Sequence, residues 1–366
     1  MTMTTISAIF QTFAPEYIQR FGHAMPQNHL KTINAIRACR TSQCGILIYD
    51  CHKCGQSHSL FRSCGNRHCP TCQNHKTRQW VEEQMERQLP GHHFLITFTV
   101  PAQLRRFIRS HQRRAYAALF DASSQTLKKF AAHSKYIRGD LPGFFGVLHT
   151  WGRQLHYHPH IHYVVPGGAI SKTDGQWHPS RIDFFAPVKA MSKVFKAKFR
   201  DKMKKIGLYE AIHTEVWDQT FNVNSQSIGT AQQTIRYLAP YVFKVAISDH
   251  RIVKVEHRKV LFRYKKPAGQ RWRTMTLDVM EFIRRFLQHV LPTGFMKIRY
   301  YGFMGAGSSL SLNHVKLLIL AASGFSLKTP PLKTNPVPVP VCPHCGAKLV
   351  LRRWIHPLTP ITSDTS

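Results

Sequence analysis

One short stretch, His158-Pro159-His160-Ile161-His162, constrains this chain more than any other part of its sequence. An apolar run follows it, and the whole segment is typical of a β-strand. Successive side chains of a strand alternate between its faces, so His160 and His162 are expected on one face with Ile161 on the other. Neutral imidazoles side by side are common ligands of a divalent ion. The pattern therefore predicts a strand that carries a metal site.

A third metal ligand must come from another part of the chain. His149 is the first candidate, because residues 144–150 also resemble a strand and can fold back on the His160 strand through the loop at 152–157. Such an antiparallel hairpin would bring three imidazoles onto one face. Gln233 is the alternative third ligand. The alternative to a metal site is a half-buried strand whose histidines contact backbone groups.

The charge of the chain points to a polyanionic partner. Its 366 residues include 51 Lys and Arg against 18 Asp and Glu, which gives a net charge of +33. Self-repulsion of this size destabilises a compact chain unless a partner neutralises it, and the phosphate backbone of a nucleic acid is the obvious candidate. With 43% hydrophobic residues, the chain can still bury a core, and its length predicts two or three domains.

The apolar segments are too short for a membrane protein. The longest of them, residues 315–322, is interrupted by Lys316, and the first residues lack the pattern of a signal peptide. We therefore expect a cytoplasmic, nucleoid-associated protein without a membrane partner. In that reducing compartment, nine cysteines, several of them in Cys-x-x-Cys pairs, predict zinc rather than disulfides.

The N-terminal cysteines have the spacing of a zinc ribbon, in which each Cys-x-x-Cys turn offers two thiolates to one tetrahedral ion. We predict a single site formed by Cys51, Cys54, Cys69 and Cys72. The segment from Cys51 to Trp80 contains no acidic residue, which favours a contact with DNA. The basic candidates for this contact are Arg62, Arg67, Lys76 and Arg78. A ribbon that only stabilises the N-terminal module is the alternative.

Further potential zinc ligands lie near the ribbon and near the end of the sequence. The candidates for a second zinc site are Cys39, His58 and Cys64, with His29 or His68 as the fourth ligand. Cys44 has no evident partner. Cys342 and Cys345 form half of a zinc knuckle, which either recruits His356 and another side chain or binds no metal.

A helix is predicted over residues 233–241, and it carries Tyr237 and Tyr241. Side chains four residues apart share one face of a helix, so both hydroxyl groups can face the metal. Aromatic residues at this spacing ordinarily belong to a core, and it is the histidine cluster that favours a functional role. Pro240 is expected to remove a helical hydrogen bond and to bend the helix between them.

Other segments predict a mixture of helices and strands. Helices are expected within the first thirty residues and at 30–40, 103–130, 188–206 and 279–291, and strands at 94–101, 221–223, 252–264, 271–277 and 295–303. The strand at 295–303 contains Arg299 among aromatic residues, a combination that can stack on the bases of a single strand. Residues 329–340 read as a proline-rich linker.

Together these features resemble the HUH endonucleases and, among them, the two-tyrosine transposases of bacterial insertion sequences typified by insertion sequence ninety-one. The motifs that carry the resemblance are the cysteine cluster, His149-Thr150-Trp151-Gly152, the 158–162 stretch, Pro166-Gly167-Gly168, Tyr237-Leu238-Ala239-Pro240-Tyr241, and residues 281–286 leading to Tyr300-Tyr301-Gly302. The resemblance covers residues 28–305. Pro240 departs from it, because the family more often has a basic residue there.

The resemblance implies an α+β fold in which an HUH endonuclease-like antiparallel sheet with flanking helices occupies residues 90–305. A helical and zinc-ribbon DNA-binding module would precede it at 1–85. A C-terminal helix, the proline-rich linker and a Cys-x-x-Cys tail would follow at 306–366.

The resemblance also implies an activity, the nicking and rejoining of single-stranded DNA at the ends of an insertion sequence. His149, His160 and His162 would hold Mg²⁺ or Mn²⁺, and Tyr237 or Tyr241 would attack the phosphate to leave a 5′-phosphotyrosine. Three other classes share some of these features: a plasmid relaxase or replication initiator, a non-catalytic zinc-ribbon nucleic-acid binder, and a zinc hydrolase.

Overall fold

The computed structural model describes residues 5–243, 247–265, 271–323 and 339–357, apart from the side chains of Asn74, Gln233, Tyr237, Pro240, Tyr241 and Phe243. The helices are α1 (Ile6–Phe21), α2 (Gln27–Ala38), α3 (Asn74–Glu86), α4 (Leu104–Ser110), α5 (Gln112–Ala131), α6 (Val188–Lys205), α7 (Ala231–Phe243), α8 (Val279–Leu287) and α9 (Leu312–Ser323). The strands are β1 (Ile46–Asp50), β2 (Ser57–Phe61), β3 (His93–Thr99), β4 (Phe144–Trp151), β5 (Tyr157–Pro166), β6 (Gly168–Ile170), β7 (Trp177–Pro179), β8 (Asn222–Ser227), β9 (Ile252–Glu256), β10 (Lys259–Lys265), β11 (Trp272–Asp278), β12 (Ile298–Tyr301) and β13 (Val350–Ile355).

A five-stranded antiparallel sheet with the order β12-β4-β5-β3-β8 forms the centre of the molecule. Its strands β4 and β5 form the hairpin that the sequence predicts, with His149 opposite His160. Every residue of β4 is buried, which means that both faces of the sheet are covered. The fold is therefore a mixture of helices and antiparallel strands, as expected.

The first face of the central sheet packs against α5 and α6. Phe98 of β3 and Ile161 of β5 are register partners and point to this face. They belong to the largest apolar cluster of the described residues, which also contains Phe120 of α5 and Phe195 of α6. The rings of Phe98 and Phe195 lie 5.0 Å apart between centroids in an edge-to-face contact. This layer supplies the largest share of the hydrophobic core of the described residues.

The second face of the sheet packs against α3, α7 and α9. Phe145 and Val147 point to it from β4, on the opposite side from their neighbours Phe144 and Leu148. They share an apolar cluster with Trp80 of α3, Leu238 of α7 and Val315 of α9. The sheet is thus the middle of three layers, and α7 belongs to the layer on this second face.

The N-terminal helices pack against elements that lie far along the chain. Ile6, Phe10 and Ile33 of α1 and α2 share an apolar cluster with Phe286 of α8 and Phe262 of β10. The rings of Phe10 and Phe286 lie 5.0 Å apart. Elements on the two sides of the division predicted near residue 85 are therefore in contact, and the division itself stays a prediction.

The segment near the C-terminus joins an N-terminal sheet. Strand β13 pairs with β1 in a sheet of the order β13-β1-β2, and Leu47 lies opposite Trp354. The sequence predicted a separate tail, because pairing between strands so far apart in the chain leaves no local pattern. The β9–β11 strands form a second small sheet, which includes the predicted hairpin.

Two further details concern the helices. The helix predicted at 103–130 is interrupted at His111, whose φ of −122° and ψ of 38° are not helical, so that it forms α4 and α5. Among the described helices, none has the length and apolar composition needed to cross a bilayer.

Candidate functional site

Three histidines meet on the second face of the central sheet. His149 lies opposite His160 across β4 and β5, and His162 lies opposite Val147, which places all three on the face that α7 covers. Their ligating nitrogens all lie within 4.8 Å of one another. The ring centroids are separated by 5.4 Å for His149 and His160, 4.6 Å for His149 and His162, and 4.7 Å for His160 and His162. The hairpin thus brings together the three predicted ligands.

Burial keeps these imidazoles neutral. It lowers the pKa of His160 to about 4. It also lowers the pKa values of His149 and His162 well below their ordinary value, and the neighbouring histidines lower them further. The neutral imidazole is the form that binds a metal ion.

Hydrogen bonds engage one ring nitrogen on each of two of these histidines. Nδ1 of His160 lies 2.7 Å from the carbonyl oxygen of His158, so this nitrogen donates and Nε2 carries the lone pair. Nδ1 of His162 lies 2.8 Å from the hydroxyl oxygen of Thr97, which is on the adjacent strand β3. Both contacts leave Nε2 for a ligand and hold the ring in place, as partners of metal-binding histidines commonly do.

The donor set fits a divalent ion. Three imidazoles leave coordination positions open for water or for a substrate oxygen, which is the arrangement of catalytic rather than structural sites. All-nitrogen ligation accommodates several divalent metals. Gln233, the alternative third ligand, has a side chain that lies outside the described residues.

Tyr237 and Tyr241 both lie in α7, and their side chains are likewise outside the described residues. The described apolar residues of this helix include Ile235, Leu238 and Val242, and they belong to the cluster that covers the second face of the sheet. The helix continues through Pro240 to Phe243. The backbone that carries the two tyrosines is therefore packed on the face where the histidines lie.

The cysteines form two clusters, and the predicted grouping of the zinc ribbon was wrong. The members of the first cluster are Cys39, Cys64, Cys69 and Cys72, and those of the second are Cys51, Cys54, Cys342 and Cys345. The two N-terminal Cys-x-x-Cys pairs thus belong to different sites. Local spacing could not reveal this, because each pair completes its cluster with residues from elsewhere in the chain.

The first cluster has the geometry of a zinc site. A tetrahedral zinc ion with bonds of about 2.3 Å places its sulfur ligands roughly 3.8 Å apart. The Sγ atom of Cys72 lies 3.9 Å from that of Cys39 and 3.5 Å from that of Cys64. Contacts with the neighbouring thiols, that of Cys64 first, lower the pKa of Cys39, which favours the thiolate form. The cluster joins the end of α2, the segment after β2 and the start of α3.

The histidines predicted for the second zinc site are not ligands of this cluster. Nε2 of His29 accepts a hydrogen bond of 3.2 Å from Arg109, and Nε2 of His68 accepts one of 3.3 Å from the backbone N–H of Leu291. His58 lies instead beside the second cysteine cluster, where its Nε2 is 3.2 Å from Sγ of Cys342. That prediction was correct in pairing Cys39 with Cys64 and wrong about the histidines.

The second cluster was missed by the sequence analysis. The Sγ atoms of Cys51 and Cys345 lie 3.4 Å apart, and those of Cys54 and Cys342 lie 3.7 Å apart. A hydrogen bond from the backbone N–H of Cys54 lowers the pKa of the Cys51 thiol to about 6. Both segments read Cys-x-x-Cys-Gly, and this shared pattern is the signal that pairs them.

The predicted DNA-binding residues occupy different environments. Arg62, Lys76 and Arg78 are exposed. Arg67 is half-buried and donates a hydrogen bond of 2.8 Å to the carbonyl oxygen of Phe295, which gives it a structural contact. Arg299 points to the first face of the central sheet, away from the histidines, with its guanidinium 4.4 Å from the ring centroid of Phe120.

Comparison with known proteins identifies two parts of the chain. Residues 9–100 match the family described as "Transposase zinc-binding domain", and this range contains the first cysteine cluster, which agrees with Zn²⁺ as its ion. Residues 143–310, which contain the histidines and α7, match a second family. That family and the relative y4qJ of Sinorhizobium fredii share the description "Putative transposase".

The similarity extends over most of the chain. The relative y4qJ is 34% identical over 79% of this chain and 79% of its own. The transposase for insertion sequence element IS801 of Pseudomonas savastanoi is 27% identical over 90% of this chain and 85% of its own. No solved structure matches the chain with significance. From its zinc-binding domain, its transposase domain and these relatives, the chain belongs to the IS91 family of transposases.

Proposed function

We propose that this transposase nicks and rejoins single-stranded DNA at the ends of an insertion sequence, through 5′-phosphotyrosine intermediates. Transposition requires that DNA strands be cut and joined, and the proposal assigns both steps to one site of the HUH type. The observation that carries it is the cluster of His149, His160 and His162 on the sheet face against which α7 packs.

The histidines would hold a Mg²⁺ or Mn²⁺ ion. When bound, such an ion supplies a positive charge that polarises the scissile phosphate. The protein around the histidines fixes the orientation of their rings. The contacts of Nδ1 of His160 with His158 and of Nδ1 of His162 with Thr97 hold the rings, and burial keeps them neutral at physiological pH.

The tyrosines of α7 would supply the nucleophiles. The phenolic oxygen of Tyr237 or Tyr241 bonds to phosphorus as it loses its proton, and the bond from phosphorus to the 3′ oxygen breaks. That oxygen takes up a proton and leaves as a 3′ hydroxyl, while the 5′ phosphate stays on the tyrosine. The energy of the broken phosphodiester is kept in this bond, so rejoining needs no ATP. With two tyrosines, one holds a DNA end while the other cuts the next.

The charge of the chain supports DNA as the substrate. Lys76 and Arg78 are exposed on α3, whose Trp80 shares the apolar cluster of α7. Basic side chains beside the tyrosine helix would follow the phosphate backbone of a single strand. The net charge of +33 supplies a strong attraction to any nucleic acid, so selection of the element ends must come from contacts with bases or from the shape of the DNA.

The test is an assay for a covalent protein–DNA adduct. The purified chain is incubated with Mn²⁺ and labelled single-stranded DNA carrying an element end, and the products are separated on a denaturing gel. The wild-type chain should form an adduct, and the double variant Tyr237→Phe/Tyr241→Phe should form none. Tyr209→Phe is the matched control, because Tyr209 stacks on Trp217 in the layer of α6. A double variant that still forms the adduct would contradict the proposal.

A further inference from the structure

The segments around the second cysteine cluster are built alike, although Cys54 and Cys342 are 288 residues apart. In one, the N–H of Gly55 donates to the carbonyl of Cys51 at 2.8 Å, and the N–H of Cys51 donates to the carbonyl of Gln56 at 2.9 Å. In the other, the corresponding bonds are from Gly346 to Cys342 at 2.9 Å and from Cys342 to Ala347 at 2.8 Å.

Each segment also has its glycine in the left-handed region. Gly55 and Gly346 both have a φ of 71°, a conformation that residues with a side chain rarely adopt. A tight turn with this glycine directs two cysteine side chains to one side of the backbone. The two segments are therefore matching halves of one unit that brings four cysteines together, rather than a knuckle and an unrelated tail.

We propose that Cys51, Cys54, Cys342 and Cys345 bind a second zinc ion, which joins the N-terminal module to the segment at 339–357. The Sγ atoms of Cys51 and Cys345 are 3.4 Å apart, and those of Cys54 and Cys342 are 3.7 Å apart. These distances agree with the roughly 3.8 Å between thiolates on a tetrahedral zinc ion. Four thiolates and no open position make this a structural site.

In the part of the chain that the structure describes, the surroundings of these cysteines contain too little apolar surface to hold the segment without an ion. The buried members of the local apolar cluster are Cys51, Cys342 and Leu349, and two of these three are themselves proposed ligands. Strand β13 is exposed at every position. Units with so small a core ordinarily depend on a metal or a disulfide for folding.

A neighbouring imidazole supports a site of four thiolates. Nε2 of His58 lies 3.2 Å from Sγ of Cys342, within hydrogen-bonding distance. Four thiolates around one divalent ion leave an excess of negative charge, which an N–H donor beside a sulfur reduces. His58 comes from β2, so all three strands of the small sheet or their flanking turns contribute to this unit.

The ion would also hold an exposed stack of side chains in place. Trp354 of β13 lies under the guanidinium of Arg62, 4.2 Å from the ring centroid, and His356 stacks on its ring at 3.6 Å. Arg62 is one of the exposed basic residues of the zinc-binding region. Loss of the ion would release β13 and separate Trp354 from Arg62.

Metal content tests the proposal without any assay of DNA cleavage. Elemental analysis of the purified full chain should find one zinc ion per chain more than in Cys342→Ser/Cys345→Ser, whatever metal the histidine cluster holds. Cys44→Ala is the matched control and should keep the zinc content of the wild type, because the thiol of Cys44 donates to the carbonyl of Ala38 and belongs to neither cluster. Equal zinc contents in the wild type and the double variant would overturn the proposal.

A second measurement on the wild-type chain covers the case in which the double variant does not fold. Cys54 and Cys345 are only partly buried, so their thiols would react with iodoacetamide if no metal held them. In the zinc-loaded protein, peptide mapping should find both protected, and a chelator should expose them together. Rapid alkylation of Cys345 in the zinc-loaded chain would contradict the proposal.

Discussion

The histidine cluster and the cysteine clusters both gather metal ligands, but they are set in opposite kinds of structure. The histidines lie on a sheet whose strands are already paired and whose other face carries the largest apolar cluster of the described residues. The cysteines lie where chain segments of little regular structure meet, and each cluster connects at least two such segments. The surroundings of a ligand cluster therefore indicate its role.

This difference separates function from folding. A histidine can be removed from the sheet with no loss of the contacts of Phe98, Ile161 and Phe195 on the other face. A cysteine cannot be removed from its cluster without losing the connection between segments. We therefore expect changes at the histidines to reduce activity while the fold is kept, and changes at the cysteines to reduce stability first.

The largest effect is expected from the first cysteine cluster. Cys69→Ser should release the zinc ion and unfold the segment between β2 and α3, because structural zinc contributes about 10–16 kcal/mol to small zinc domains. That is comparable with the entire stability of a typical domain, about 5–15 kcal/mol. Hydrogen exchange should show loss of protection at the end of α2 and the start of α3, while α1 stays packed against α8. Cys44→Ala is the control and should keep the protection of the wild type. Equal protection in Cys69→Ser and the wild type would show that folding does not depend on this cysteine cluster, and would remove its contrast with the histidine cluster.

Changes at the histidines are expected to alter the free energy of unfolding less than changes at the cysteines, but to lower the rate of strand cleavage strongly. His160→Ala should lower the rate of strand cleavage about a thousandfold or more, since a metal supplies several kcal/mol of transition-state stabilisation and about 1.4 kcal/mol is tenfold in rate. Its thermal unfolding should remain close to that of the wild type.

The matched control for this change is His178→Ala. Nε2 of His178 lies 2.8 Å from a carboxylate oxygen of Asp174 in a partly exposed contact, and His178 should be replaceable at full cleavage rate. Single-turnover cleavage with Mn²⁺ and calorimetric unfolding are the two measurements. Cleavage by His160→Ala at the full rate would exclude the histidines as the metal site. A large loss of stability in His160→Ala would instead show that the histidines serve the fold, like the cysteines.

The smallest effects are expected from the exposed basic residues. Lys76→Ala and Arg78→Ala should each weaken DNA binding only a few-fold, and each should reduce the slope of log affinity against log salt by about one. Lys254→Ala is the control, because Lys254 pairs with Glu256 at 2.7 Å on the exposed sheet of β9. A salt titration of binding to single-stranded DNA measures the slope, and an unchanged slope would show that α3 does not contact the phosphates.

The histidine site could be predicted from the sequence because its parts are local. His160 and His162 are two residues apart on a strand, and His149 lies on the neighbouring strand of the same hairpin. Alternation along a strand and a short loop fix their relative position. Packing of α7 on the same face was also consistent with the predicted helix.

The cysteine sites could not be predicted in the same way, because the second site takes two ligands from the other end of the chain and its first pair lies between the ligands of the first site. Two Cys-x-x-Cys pairs in sequence suggested one ribbon, but Cys51 and Cys54 meet Cys342 and Cys345, while Cys69 and Cys72 meet Cys39 and Cys64. Spacing identifies a half-site and says nothing about which half completes it. His29 and His68 were plausible ligands because they lie near the cysteines in the sequence. Their actual partners, Arg109 and Leu291, lie far away in the sequence, so no local pattern indicates them.

The most direct test of the proposed chemistry is to locate the DNA on the protein. Trypsin cleaves after Arg236 and Lys244, so Tyr237 and Tyr241 fall in one peptide and tandem mass spectrometry must separate them. After reaction with single-stranded DNA and nuclease trimming, we expect the nucleotide on Tyr237 in the first cleavage and on Tyr241 in the second transfer. An adduct on Tyr241 alone would reverse this order. A nucleotide found on a residue outside α7, or cleavage with no nucleotide on any residue, would contradict the tyrosine mechanism.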